Sequence, residues 1–178
     1  PGIIYDRKIG AVQAFDPSKI EEHVRHSWYE GDKAHTPYEG ETKPFFTKMG
    51  DTDRYSWLKA PRYAEKSMET GPLAQVLVAY AQNHKTIKPA VDGVLKALNV
   101  GPEALFSTLG RTAARGIQTL VIAQQMENWL NEYENNIGKD KQIVEDYAVP
   151  VSGRGVGFVD APRGGLSHWM TIKDSKID

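Results

Sequence analysis

The longest sustained pattern in the chain runs from Pro102 to about Asn136. Leu105, Leu109, Ala113, Ile117, Leu120, Ala123, Gln124, Glu127, Leu130 and Tyr133 recur there at steps of three or four. That spacing matches the 3.6-residue period of an α-helix with one packed face. Gly101-Pro102 opens the run and Gly138 closes it, so it predicts one very long helix over 102–137. At 1.5 Å per residue such a helix is about 50 Å long. In a chain of 178 residues it predicts a mainly α fold with a helical-bundle core and one small β-hairpin. Gly110 and Gly116 either weaken the helix or let another approach closely. Arg111 and Arg115, four apart, form either a solvated pair or a pair that contacts a partner carboxylate.

Shorter elements precede it. Residues 1–15 read as an extended entry. Asp16-Pro17 is a good helix start, and Ile20, Val24 and Trp28 at four-residue spacing predict a buried face on a helix reaching Tyr29. His23 and His26 would lie on that helix as packed or solvated residues, not as metal ligands. From 31 to 67 the chain is a long loop, strand-like only over Ser56–Pro61, with Lys59 and Arg62 as surface charges or as ties that hold the loop. Gly71-Pro72 opens a helix to about Gln82, with Leu73, Val76, Leu77 and Tyr80 on its apolar stripe. Another runs from near Lys88 to Asn99 on Val91, Val94, Leu95 and Leu98. Residues 139–152 form a polar linker.

The linker leads to Asp160-Ala161-Pro162-Arg163-Gly164-Gly165-Leu166-Ser167-His168-Trp169, flanked by β-like runs that predict a hairpin over 154–174. Pro162 fixes one backbone angle, and Gly164-Gly165 offer conformations closed to other residues. Arg163 then stands at the hairpin tip. Its guanidinium is always charged and carries five donors in a planar fork, which suits an anionic ligand or a place where negative charge develops. Read locally, the same residues also describe a tight surface turn with a solvated arginine.

Composition narrows the chemistry. There is no cysteine, so a disulfide framework, a thiolate zinc site and an iron–sulfur cluster held by this chain alone are excluded. A net charge of −1 points to neither nucleic acid nor an anionic membrane surface. No apolar run approaches the roughly 20 residues that span a bilayer, and no stretch reads as a signal peptide.

The Asp160–Trp169 stretch, with Ile172-Lys173-Asp174-Ser175-Lys176-Ile177 after it, resembles the segment near the C-terminus of nickel-iron hydrogenase large subunits. His26-Ser27-Trp28-Tyr29, Arg54–Tyr63, Met68-Glu69-Thr70-Gly71-Pro72-Leu73-Ala74 and Ser107-Thr108-Leu109-Gly110-Arg111 match the same family in the same order. The similarity runs over nearly the whole chain, which most resembles the periplasmic uptake hydrogenases of purple sulfur bacteria. Family members often carry glycine near Ala64-Glu65-Lys66, so reduced backbone freedom is expected here.

The resemblance implies part of a single large-subunit domain over 1–178, in an enzyme that splits dihydrogen into protons and electrons or runs the reverse. It implies a nickel-iron centre carrying cyanide and carbon monoxide, an iron–sulfur small subunit as partner, and a periplasmic location. Arg163 matches the arginine over the open side of the metals, where it would hydrogen-bond a cyanide and stabilise the separating hydride and proton. Ala161 and Pro162 would line the pocket around the diatomic ligands, and Leu166 would cover the carbon monoxide. Asp160 stands where glutamate is common and is expected as a hairpin cap without a catalytic role. His168 is expected as a hydrogen-bonded core histidine that supports the loop, with a proton relay as the alternative.

The family's four metal-binding cysteines are missing, so the chain is expected to be an internal-to-C-terminal piece, inactive alone and without metal ligands of its own. The alternative is a non-catalytic helical interaction domain related to the quinone-site subunit of respiratory complex I, which also lacks the nickel cysteines. A third reading is a helical peptide-binding module using Trp57 and the aromatics of 38–63.

Overall fold

In the computed structural model, which describes residues 1–39, 42–139, 144 and 146–178, the run from 102 to 137 is divided. Pro102–Leu105 closes a single 3-10 turn, and Ser107 then caps α3 (Thr108–Asn136). The Ser107 hydroxyl accepts from the Gly110 amide at 3.0 Å and donates to the Ala104 carbonyl at 2.7 Å. A serine oxygen satisfies one of the amides that a helix start leaves without a partner. A side chain at Gly110 would collide with the Leu105 carbonyl, so glycine lets the turn fold back on the helix.

The described residues hold three α-helices and three small antiparallel sheets, 34% helix and 25% strand. This corrects the expectation of a mainly α helical bundle built on one very long helix. The helical period continues past Ile117, but only Gly110, Ala114 and Ile117 of α3 are buried. Leu120, Ile122, Met126, Trp129, Leu130 and Tyr133 are each more than half exposed. Periodicity reports a face able to pack, not a partner that packs on it.

The chain divides into two compact units. The first comprises residues 1–15, 70–149 and 159–166. In it β1 (Gly2–Ile4) pairs antiparallel with β2 (Val12–Ala14), Ile3 opposite Gln13. Helices α1 (Pro72–Ala81) and α2 (Ile87–Leu98) lie close to their expected bounds. Asn99 ends α2 in the left-handed conformation, and His84 Nδ1 accepts from the amides of Thr86 and Ile87 at its start. Leu73, Val76 and Leu77 of α1 form one core with Ile87, Val91 and Leu95 of α2, Leu105, and Ala114 and Ile117 of α3.

Helix α3 thus tests its own packing along its length. Ile117→Val removes a buried methyl and is expected to cost about 1 kcal/mol. Leu130→Ala, at a position 66% exposed, is expected to stay within about 0.5 kcal/mol. Denaturant unfolding of the two variants checks the contrast.

The second unit comprises residues 16–69, 150–158 and 167–178. The expected helix over 16–29 is not there. Asp16 caps one 3-10 turn, Pro17–Lys19, through its carboxylate and Ser18, and the chain becomes extended at Ile20. β3 (Ile20–His23) pairs antiparallel with β4 (Ala60–Tyr63), Ile20 opposite Tyr63 and His23 opposite Ala60. A partner strand some forty residues away overrides the local helix signal. Val24 and Trp28 are buried as expected, on non-helical backbone.

Arg54 organises the irregular segment after β3. Its guanidinium donates to the carbonyls of Ser27 and Tyr29 at 2.7 Å and of Gly31 at 3.0 Å, and pairs with Asp32 at 2.6 Å. Trp28 Nε1 donates to the Arg54 carbonyl, and its ring meets Phe46 and Trp57 edge-on. Lys59 pairs with Glu22 at 2.9 Å, so it is a tie within the unit; Arg62 is half-buried and donates to the Pro61 carbonyl at 2.8 Å. Ala64 and Glu65 adopt left-handed angles, φ +49° and +62°, without glycine's help.

Residues 152–177 form the third sheet, order β5 (Ser152–Ala161), β6 (Gly164–Lys173), β7 (Lys176–Ile177). The hairpin expected over 154–174 is present, extended by β7. The expected linker over 139–152 falls partly outside the described residues. No helix among the described residues is long and apolar enough to cross a membrane.

Candidate functional site: the Arg163 turn

Pro162 and Arg163 alone join β5 to β6. Neither they nor Gly164 and Gly165 have positive φ, so the glycines do not serve the left-handed backbone expected of them. What the turn needs instead is close approach. A Cβ on Gly164 would come within 2.6 Å of Thr70 Oγ1. Gly71, just before α1, has φ +103°, and a Cβ there would lie 2.7 Å from the Arg163 carbonyl oxygen. The backbone of the turn therefore rests directly on the backbone that starts α1.

A polar tie adds to that contact. Gln75 Nε2 donates to the Ala161 carbonyl at 3.5 Å, and Gln118 Nε2 donates to Gln75 Oε1. Two points, Ala161 and Arg163, are thus held by the first turn of one helix, with Pro162 between them. Proline removes one soft dihedral from the link, which stiffens it further.

The structure separates the expected site residues by exposure. Arg163 and Pro162 are exposed, Ala161 is half-buried, and Leu166 is 46% exposed. Among the described residues the Arg163 guanidinium has no hydrogen bond, ion pair or ring contact. Asp160 and His168 are exposed, so His168 is not the core histidine expected from the resemblance. Support for the stem comes from Trp169 instead: its Nε1 donates to Ser167 Oγ at 2.9 Å, and its ring meets Tyr38 and Phe158 edge-on. Arg154 lies over the Tyr38 ring at 5.3 Å.

The sequence does not single out Gln75, Gln118, Thr70 or Gly71 as site residues. Gly71 alone carries a local signal, as the residue before the Pro72 helix start. Two shallow hollows, one lined by Pro150, Gly153, Arg154, Gly155, Met170 and Ile172 and one by Arg7, Ile9, Pro102, Glu103 and Phe106, include no residue of the turn. Among the described residues no three His, Asp or Glu side chains gather as a metal site would require. With no cysteine in the chain, the residues present do not fit a nickel or iron centre as its ligand set.

What the turn does offer is a guanidinium on a held backbone, with none of its five donors engaged by another described residue. Comparison with known proteins puts it in context. The uptake hydrogenase large subunit of Bradyrhizobium diazoefficiens is 40% identical over 191 aligned positions, covering 94% of this chain and 32% of its own length. The hydrogenase-1 large chain of Escherichia coli is 32% identical, again over 94% of this chain and 32% of its own. The NiFeSe hydrogenase of Desulfovibrio vulgaris Hildenborough, solved as a G50T variant, superposes with a TM-score of 0.76 at 38% identity, over 100% of this chain and 36% of that one. This chain therefore spans about a third of the length of the relatives it matches. A family profile described as nickel-dependent hydrogenase matches residues 1–178, and the chain belongs to that family.

Proposed function

We propose that this chain is part of the catalytic large subunit of a nickel-iron hydrogenase, which cleaves dihydrogen heterolytically and reversibly, and that Arg163 is its charge-stabilising group. One observation carries the reading: a guanidinium without a partner among the described residues stands on a turn whose backbone is pinned to the start of α1. A surface arginine that only solvates the fold needs no such anchor. Heterolytic cleavage separates charge, and a preorganised cation beside the developing negative charge lowers that barrier. Arginine's high pKa makes it a poor ordinary base, so holding an anionic group comes first and proton acceptance second.

Ala161 and Pro162 supply backbone and apolar surface beside the guanidinium, and Leu166 an apolar cover suited to a nearly nonpolar diatomic ligand. The nickel-iron centre, with its cyanide and carbon monoxide, belongs in this reading to the complete subunit, because this cysteine-free chain does not supply its thiolates. An iron–sulfur small subunit as electron-transfer partner and a periplasmic location complete the proposal.

The test compares the 178-residue chain with the full-length polypeptide assembled with its partner. The chain alone is expected to hold no stoichiometric nickel or iron and to reduce no dye with hydrogen; the assembled protein does both. Stoichiometric metal on the chain alone, or a metal-loaded full-length protein inert toward hydrogen, overturns the proposal.

A further inference from the structure

We infer that Gln75, oriented by Gln118, is a positioning residue for the Arg163 turn. This rests on the reading that Arg163 acts in hydrogen turnover. Gln75 is half-buried in the first turn of α1, and its amide has one donor end and one acceptor end. Gln118, from α3, donates to the oxygen end, so the nitrogen end is left to face the hairpin and meet the Ala161 carbonyl. The order matters, because an amide free to flip would present its oxygen to that carbonyl and repel it.

The Gln75 backbone amide also closes on the Gly71 carbonyl at 3.0 Å. The helical turn that carries Gln75 is therefore the one whose first residue abuts the Arg163 carbonyl. Side-chain tie and backbone contact fall on either side of Pro162, and two points fix the rotation of the turn where one would leave a hinge. The Arg163 side chain has no polar or ring contact of its own among the described residues, so its aim is set by this backbone. At 3.5 Å the Gln75 bond is long, which steers the turn more than it clamps it.

The experiment uses the assembled full-length enzyme with Gln75→Leu, Gln118→Leu, and the pair Gln75→Lys with Gln118→Glu. In that pair the ammonium still donates to Ala161, and the new carboxylate orients it. Both Leu variants are expected to lower kcat by roughly 10- to 100-fold with KM for hydrogen unchanged, the scale of a misplacement on the order of 1 Å. Amide exchange across residues 160–166 is expected to rise about tenfold, as the docked turn opens more often. Metal content stays at the parent level, and the paired substitution restores both kcat and exchange.

Arg163→Lys, measured alongside, separates the positioning role from the reading on which it rests. If it is impaired while both Leu variants keep parental kcat and exchange, the positioning role is wrong and the reading beneath it stands. If Arg163→Lys turns over normally, the reading fails and the positioning role with it. Should Gln75→Leu not fold, Gln118→Leu decides, since it leaves the α1 side chain in place.

Discussion

Arg163→Lys in the complete subunit is expected to lower hydrogen turnover by roughly 100- to 1,000-fold while the metals remain bound, the scale seen when one preorganised donor is removed from a charge-stabilising site. The substitution keeps the positive charge and removes the planar fork. A lysine ammonium is a compact point charge on a flexible stem, so it neither holds a group through two parallel bonds nor keeps one direction. The turn's backbone is held through Ala161, Arg163 and Gly164, none of it by the guanidinium. Exchanging the side chain therefore leaves the hairpin in place, and lost turnover reports chemistry rather than folding. Dye reduction under hydrogen, with nickel and iron quantified on the same sample, makes the measurement. Turnover within a few-fold of the parent would falsify the role given to Arg163.

How far such a site can be read in advance depends on the sequence distance over which its contacts run. The turn itself is local: Pro162 between two β-like runs marks it, and the hairpin is where the pattern puts it. Helices α1 and α2 are legible for the same reason, each bounded by Gly, Pro or Asn and striped at helical spacing. The anchors are not. Gln75 meets Ala161 across 86 residues and Gln118 across 43, and a glutamine on a helix carries no mark of which carbonyl it will face. Arg54 is hidden likewise, since most of its partners are backbone carbonyls, which every residue has.

The errors have physical causes too. Ile20, Val24 and Trp28 repeat at four, and Val24 and Trp28 are indeed buried, but pairing of β3 with β4 gives the backbone a better partner than a helix would. The 102–137 run keeps its period across a serine able to cap, and a period cannot show that Ser107 turns from its own strand-like angles to start a new helix. Gly164-Gly165 draw the attention that belongs to Gly71. Two adjacent glycines in a turn suggest unusual backbone angles, whereas the angle that needs glycine is at the surface on which the turn lands.

That landing surface carries the second large effect. Gly71→Ala is expected to destabilise the protein by about 3 kcal/mol, for two reasons that act together. Its angles, φ +103° and ψ −162°, lie in a region that residues with a Cβ essentially do not occupy. The added methyl would also sit 2.7 Å from the Arg163 carbonyl oxygen and 3.2 Å from its carbon. Both are backbone atoms, so no rotamer change relieves the contact; either the hairpin lifts or α1 starts differently. A loss of this size lowers Tm by about 6–12 °C in a chain of this length. Gly165→Ala is the matched control, because its φ is ordinary and a Cβ there meets nothing within 4 Å. It is expected to change stability by no more than about 0.5 kcal/mol. Thermal unfolding of the two variants side by side decides the matter: equal Tm values would mean that the Arg163 turn does not rest on the start of α1, and the role proposed for its guanidinium would lose its fixed platform.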